Sequence, residues 1–130
     1  MASAIASKSL EPLTMYIVIR KDLAKSLGWN TGSVITQGCH ASTAVLELTK
    51  QESNTQAYLR DLENMRKVVL ETKNEQSLKS LAAALTENKV THHLWIEHPE
   101  NLPTALATAP LPSRSDEVVA AFKKYCSLYR

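Results

Sequence analysis

Glycine, cysteine and aromatic residues are all scarce in this chain of 130 residues: three glycines, two cysteines, two tryptophans, four tyrosines and one phenylalanine. So few glycines, beside five prolines, exclude collagen-like and low-complexity chains. Cys39 and Cys126 cannot build a disulfide framework, and neither belongs to a CxxC pair. No apolar run approaches the ~18 residues needed to span a bilayer, so no membrane partner is expected. Charge of one sign is not in excess, with 15 Lys and Arg against 13 Asp and Glu. A net charge of +2 falls below the strongly basic balance of a dedicated nucleic-acid module. Any RNA contact must then be a local patch. No signal-peptide hydrophobic stretch is visible, so the chain reads as intracellular with reduced thiols, and the cytoplasm is the expected compartment. Residues 1–14 (MASAIASKSLEPLT) are small, polar and unpatterned and read as a loose tail. One lysine, no arginine and a glutamate in that stretch fit a mitochondrial transit peptide poorly.

What remains is 44% hydrophobic and 22% charged overall, ordinary for one soluble domain, expected over residues 15–130. Met15–Arg20 (MYIVIR) and Arg66–Glu71 (RKVVLE) are short continuous runs rich in β-branched residues, the signature of strands covered on both faces. His93–Glu97 and Thr104–Ala109 are two further strand candidates, with Pro99 and Pro103 bracketing their connection. Helices are expected from Gly32 to Lys50, Asn54 to Glu63, Asn74 to Asn88, and onward from Ser113. In the first, Val34, Gly38, Ala41, Val45 and Leu48 form one stripe that should face the sheet. Asn74 is placed to cap the third, and Ser113-Arg-Ser-Asp116 reads as a capping box for the last. Strands alternating with helices argue for an α/β domain with a four-stranded mixed sheet, helices on both faces, in the order β-α-α-β-α-β-β-α.

Ser33, Gln37 and His40 are separated by four and three residues and so share one face of the first long helix. That helix follows the loop leaving the first strand, and open α/β sheets hold ligands beyond the carboxyl ends of their strands. A surface helix would show the same spacing. Cys39 and His40 diverge by roughly 100° on a helix and cannot form a dyad, and Cys39 reads as a small buried hydrophobe. His92 and His93 should point to opposite faces of a strand, so no metal site is expected. The segment Trp95-Ile-Glu-His-Pro-Glu-Asn101 gathers two carboxylates, an imidazole and an amide close to Thr104. A carboxylate or imidazole beside a threonine hydroxyl could orient a water for attack on a carbonyl. A solvated turn between strands would carry the same residues. Arg20, Lys21 and Lys25 after the first strand, and Arg66-Lys67 at the start of the second, read as solvated faces that together could hold a phosphate backbone.

Several of these segments agree in order and spacing with one family. Arg20-Lys-Asp-Leu23, Gln37-Gly-Cys-His-Ala41, Lys67-Val-Val-Leu70 and Thr104-Ala-Leu-Ala-Thr-Ala-Pro110 resemble the type II peptidyl-tRNA hydrolases, over about Met15 to Tyr129. Met65–Glu71 and Leu94–Asn101 look still closer to the peptidyl-tRNA hydrolase domain-containing subgroup. The resemblance implies a mixed sheet between helices, a homodimer, no cofactor or metal, and peptidyl-tRNA as substrate. The implied reaction is hydrolysis of the ester joining a peptide to the terminal ribose. It implies Thr104, Ser33 and either His98 or Glu97 at catalytic positions. Asp22, Gln37, His40, Arg20, Lys21, Arg66 and Lys67 fall at substrate-binding ones.

Two departures stand out. The family's lysine just inside the first helix is Ser33 here, and its Asp-Ala-Gly turn reads Glu97-His-Pro-Glu-Asn101. Loss of one donor to a developing oxyanion commonly costs roughly 10²–10³ in rate. A degenerate member that binds tRNA or a protein without cleavage is therefore the second expectation.

Overall fold

A computed structural model of the chain describes residues 12–112 and 116–130. The strands are β1 (Leu13–Arg20), β2 (Arg66–Thr72), β3 (His92–Glu97), β4 (Leu102–Thr108), β5 (Leu111–Pro112) and β6 (Ser127–Leu128). The α-helices are α1 (Asp22–Lys25), α2 (Thr31–Leu48), α3 (Ser53–Arg60), α4 (Glu75–Glu87) and α5 (Asp116–Tyr125). A 3₁₀ turn, Leu62–Asn64, takes up the end of the stretch expected as one helix over Asn54–Glu63.

The sheet has six strands rather than the expected four, in the order β3-β4-β1-β2-β6, with β5 also paired to β1. The two additions are two residues long. Such pieces are too short to show any periodicity and are made only by their partners. Pairing with β5 also carries β1 back to Leu13 and Thr14, two positions into the stretch expected as a tail. Residues 1–11 of that stretch, and residues 113–115 of the expected capping box, lie outside the described residues.

β1 and β2 are parallel, and β4 runs antiparallel to both β1 and β3. The carboxyl ends of β1, β2 and β3 therefore meet the start of β4 along one edge of the sheet. Alternation along β1 sends Met15, Ile17 and Ile19 to one core with Val34, Ala41 and Val45 of α2. Val18 goes to the other, with Leu78, Leu81 and Leu85 of α4 and Val118 and Phe122 of α5. Helices thus cover both faces, as expected. At Gly38 α2 comes so close to β1 that an added Cβ would sit 3.1 Å from Ile19 Cδ1 and 3.2 Å from Ile17 Cγ2. Only the absence of a side chain permits that approach.

Two expectations for α2 fail. Leu48 is 68% exposed. A 3.6-residue helix drifts about 20° per heptad, so a stripe begun at Val34 has turned off its axis by then. Thr49 closes the end instead, with its hydroxyl on Val45 O at 2.8 Å and beside Thr55 Oγ1 at 2.7 Å. Cys39 is exposed rather than buried, because one step past the buried Gly38 swings it about 100° outward. Cys126 is half-buried, and burial pushes its thiol up to about 12. The thiolate is the reactive form. Cys39 is accordingly expected to react with iodoacetamide at pH 8 at least tenfold faster than Cys126, measured by peptide mass mapping; equal rates would contradict the two environments.

Candidate active site

The connection from β1 to α2 is locally determined. Trp29 N–H donates to Leu23 O at 2.8 Å and folds the segment back after α1. Asn30, extended at the helix N-cap, accepts Ser33 N–H on its side chain at 2.8 Å. The first turn of α2 carries no acidic residue, and the cap satisfies one of its free N–H groups. One turn further, Gln37 is 1% exposed although polar. Its carboxamide is tied at both ends: Oε1 accepts the Thr104 hydroxyl at 2.7 Å, and Nε2 donates to Ser33 O at 3.1 Å. A carboxamide nitrogen has two hydrogens, and this bond uses one of them.

A cleft of about 350 Å³ opens here, lined by Gly28, Trp29, Asn30, Ser33, Thr36, Gln37, Glu97 and Glu100. Its position is the crevice beyond the carboxyl ends of the strands. Glu97 ends β3, and its Oε1 accepts Trp95 Nε1–H at 2.9 Å, which leaves Oε2 for the cleft. Trp95 is itself stacked on the His40 ring, with centroids 4.6 Å apart. Two carboxylates and no cation line the cleft among the described residues. Nor do any three His, Cys, Asp or Glu side chains among them group so as to hold a metal ion.

The expected site residues therefore divide. Ser33, Gln37 and Glu97 meet in the cleft, and Thr104 touches it through Gln37. Thr104 itself is 0% exposed, and its hydroxyl donates to the Gln37 carboxamide. His40 shares a helix face with Gln37 but is taken up by Trp95. His98 sits exposed on the turn between β3 and β4 and does not line the cleft. Glu100, the second carboxylate of the Trp95–Asn101 segment, lines it too, and Asn30 and Thr36 do so without having been singled out; the only signal for Asn30 was an N-cap residue type before a helix.

The basic residues expected on phosphates also separate. Arg20 is 5% exposed and fully engaged: Nε and Nη2 clasp Asp22 at 2.9 and 2.8 Å, and Nη1 donates to Pro103 O at 2.9 Å, with Glu75 Oε1 at 3.5 Å. A buried guanidinium holding a carboxylate in this fork is a structural clasp, not a phosphate contact. Asp22 is thus also committed within the fold. Lys21 stands at the site edge, 3.2 Å from Glu71 Oε2. Arg66 and Lys67 are exposed at the start of β2, opposite Thr14 and Met15 of its parallel neighbour β1. Six residue steps along β2 take the chain from Arg66 to Thr72 at the site edge, about 20 Å at the usual rise.

An open α/β sheet with a ligand-sized cleft at its carboxyl edge defines a broad class of ligand-binding domains. A family model described as "Peptidyl-tRNA hydrolase PTH2" matches residues 13–125, and the chain belongs to that family. It is similar to a Mus musculus protein named "Putative peptidyl-tRNA hydrolase PTRHD1", with 44% identity over 128 residues, 96% of this chain and 90% of that one. A Homo sapiens protein of the same name is 42% identical over 124 residues, 93% of this chain and 87% of its own. Among the described residues, no helix is long and apolar enough to cross a membrane.

Proposed function

We propose that this chain hydrolyses peptidyl-tRNA at the ester between the peptide and the terminal ribose. Family membership supports the substrate class, and the observation that carries the reading is the 2.7 Å bond from Thr104 to Gln37. It joins β4 to the helix lining the cleft and fixes a buried amide where an ester carbonyl would lie.

In this scheme the second Gln37 Nε2 hydrogen and the Ser33 hydroxyl donate to the carbonyl oxygen as negative charge develops on it. Glu97, held by Trp95, orients a water through its remaining oxygen and takes up the proton as attack proceeds. As the tetrahedral intermediate collapses, Glu97 returns its proton to the ribose oxygen, which leaves as the free hydroxyl. Trp29 offers a flat apolar wall for the terminal base. Thr104 is a positioning residue: it turns the Gln37 oxygen inward, so that the N–H and not the carbonyl faces the substrate.

Purified protein is expected to release labelled peptide from peptidyl-tRNA with EDTA present. Thr104→Val should cut kcat about tenfold or more with little change in KM, because a buried Gln37 oxygen left without its donor costs about 1–3 kcal/mol and the amide turns. Thr104→Ser should restore the rate. A valine variant as active as the parent would remove Thr104 from the scheme.

The absence of any cation among the cleft residues favours a second reading, a family member that binds tRNA without cleaving it. Ser33→Lys decides between them. A silent parent made active by lysine supports the binding reading, and an already active parent ends it.

A further inference from the structure

We infer that the tRNA phosphate backbone is held by a second concavity at the same sheet edge, lined by Lys21, Lys25 and Arg130, and not by Arg66 and Lys67. This rests on the proposed substrate and assigns where its polyanionic part sits. The concavity, about 520 Å³, is formed by Lys21, Lys25, Glu71, Ser127, Leu128 and Arg130. Three cations face one carboxylate there.

That carboxylate builds the surface. Glu71 is buried at the end of β2; one oxygen holds Lys21 Nζ at 3.2 Å and the other accepts the Arg130 backbone N–H at 3.0 Å. The strand segment before Arg130 is pinned as well, since β6 pairs with β2 and Tyr129 N–H donates to Val69 O at 3.1 Å. Lys21 N–H, in turn, donates to Thr72 O at 2.8 Å. The cations are thus carried on backbone fixed to neighbouring strands, while Lys25 stays exposed on α1.

Charge distribution gives the direction. The cleft carries Glu97 and Glu100 without a cation and repels phosphate, so backbone contacts must fall outside it. α1 and the Gly28–Asn30 segment lead directly from Lys25 to the cleft wall, which puts the cationic concavity beside the cleft along the chain. Arg66 and Lys67 lie at the start of β2 and do not line this concavity.

Binding of fluorescently labelled deacylated tRNA across a salt series tests the assignment without needing turnover. Each duplex phosphate contact contributes about −0.9 to the slope of log K against log salt. The double variant Lys25→Gln/Arg130→Gln should shallow that slope by nearly two and weaken binding at low salt at least tenfold. Arg66→Gln/Lys67→Gln should leave slope and affinity unchanged. The converse result, or a slope that neither pair alters, overturns the inference. Peptide release assayed on the same proteins keeps the two proposals apart. Release by the parent with an unmoved slope sinks only the phosphate surface, whereas a moved slope with no release sinks only the hydrolytic reading. All four side chains are surface-accessible, so unchanged melting temperatures serve as the folding control.

Discussion

Replacing Glu97 with glutamine is expected to lower kcat for peptidyl-tRNA hydrolysis by about 10²–10⁴, the usual contribution of a positioned acid–base group. The substitution is nearly isosteric. Oε1 still accepts the 2.9 Å bond from Trp95 Nε1–H, so the side chain stays in place and only its ability to accept a proton is lost. KM should hardly change, because the group acts on water and not on the bound ester. Steady-state kinetics on labelled substrate reads both parameters. The pH profile supplies an independent check: if the Glu97 carboxylate is the proton acceptor, the acidic limb of kcat/KM disappears in the variant. A fall in rate of less than threefold with that limb intact would assign the proton to another group. Glu100, the other carboxylate of the cleft, lies on the exposed turn, and no hydrogen bond of its side chain is seen among the described residues.

Arg20→Met should lower the stability of the fold by about 2–4 kcal/mol. The guanidinium is 5% exposed and joins three parts of the site edge: Asp22 after β1, Pro103 in β4 and Glu75 in the first turn of α4. Its removal leaves Pro103 O without its donor and Asp22 without its counter-charge. The loss is smaller than that of breaking a fully buried pair, because the Asp22 and Glu75 side chains are 21% and 37% exposed and recover part of their hydration. In a domain of this size the loss corresponds to a drop of roughly 10 °C in the melting temperature. Arg20→Lys should recover less than half, since an ammonium cannot reproduce the two-pronged contact with Asp22 and reach Pro103 together. A methionine variant melting with the parent would show that the clasp contributes nothing net. The same network has an acid-side consequence. Glu75 is held below the usual carboxylate range, first by its hydrogen bond to Lys79, with Arg20 adding attraction. A depressed carboxylate stabilises the fold above its unfolded value and loses that contribution as pH falls through the folded one.

Much of the architecture was written into local pattern. The Val34–Val45 and Leu78–Leu85 stripes each bury one face of a helix, and the β-branched run of β1 is buried on both of its faces. A periodicity of 3.6 or an unbroken apolar run therefore reports them from neighbours in sequence. Asn74 was legible as a cap because it acts three residues away, accepting Ser77 N–H at 3.0 Å. Gln37 and Thr104 both lie in motifs of the family pattern and are joined by a hydrogen bond, whereas Glu97 stood beside His98 as one of two alternatives in a turn that departs from that pattern.

Tertiary structure alone decided what each polar group faces. Arg20, Lys21, Arg66 and Lys67 are four similar cations in sequence. Strand order and register bury the first, pair the second with Glu71, and place the last two at the far end of the sheet. The same long-range pairing added β5 and β6. Sequence spacing fixes which residues share a face of one element, because that geometry is set by the backbone within a few residues. Which charges then meet depends on contacts between segments tens of residues apart, and no local period encodes those.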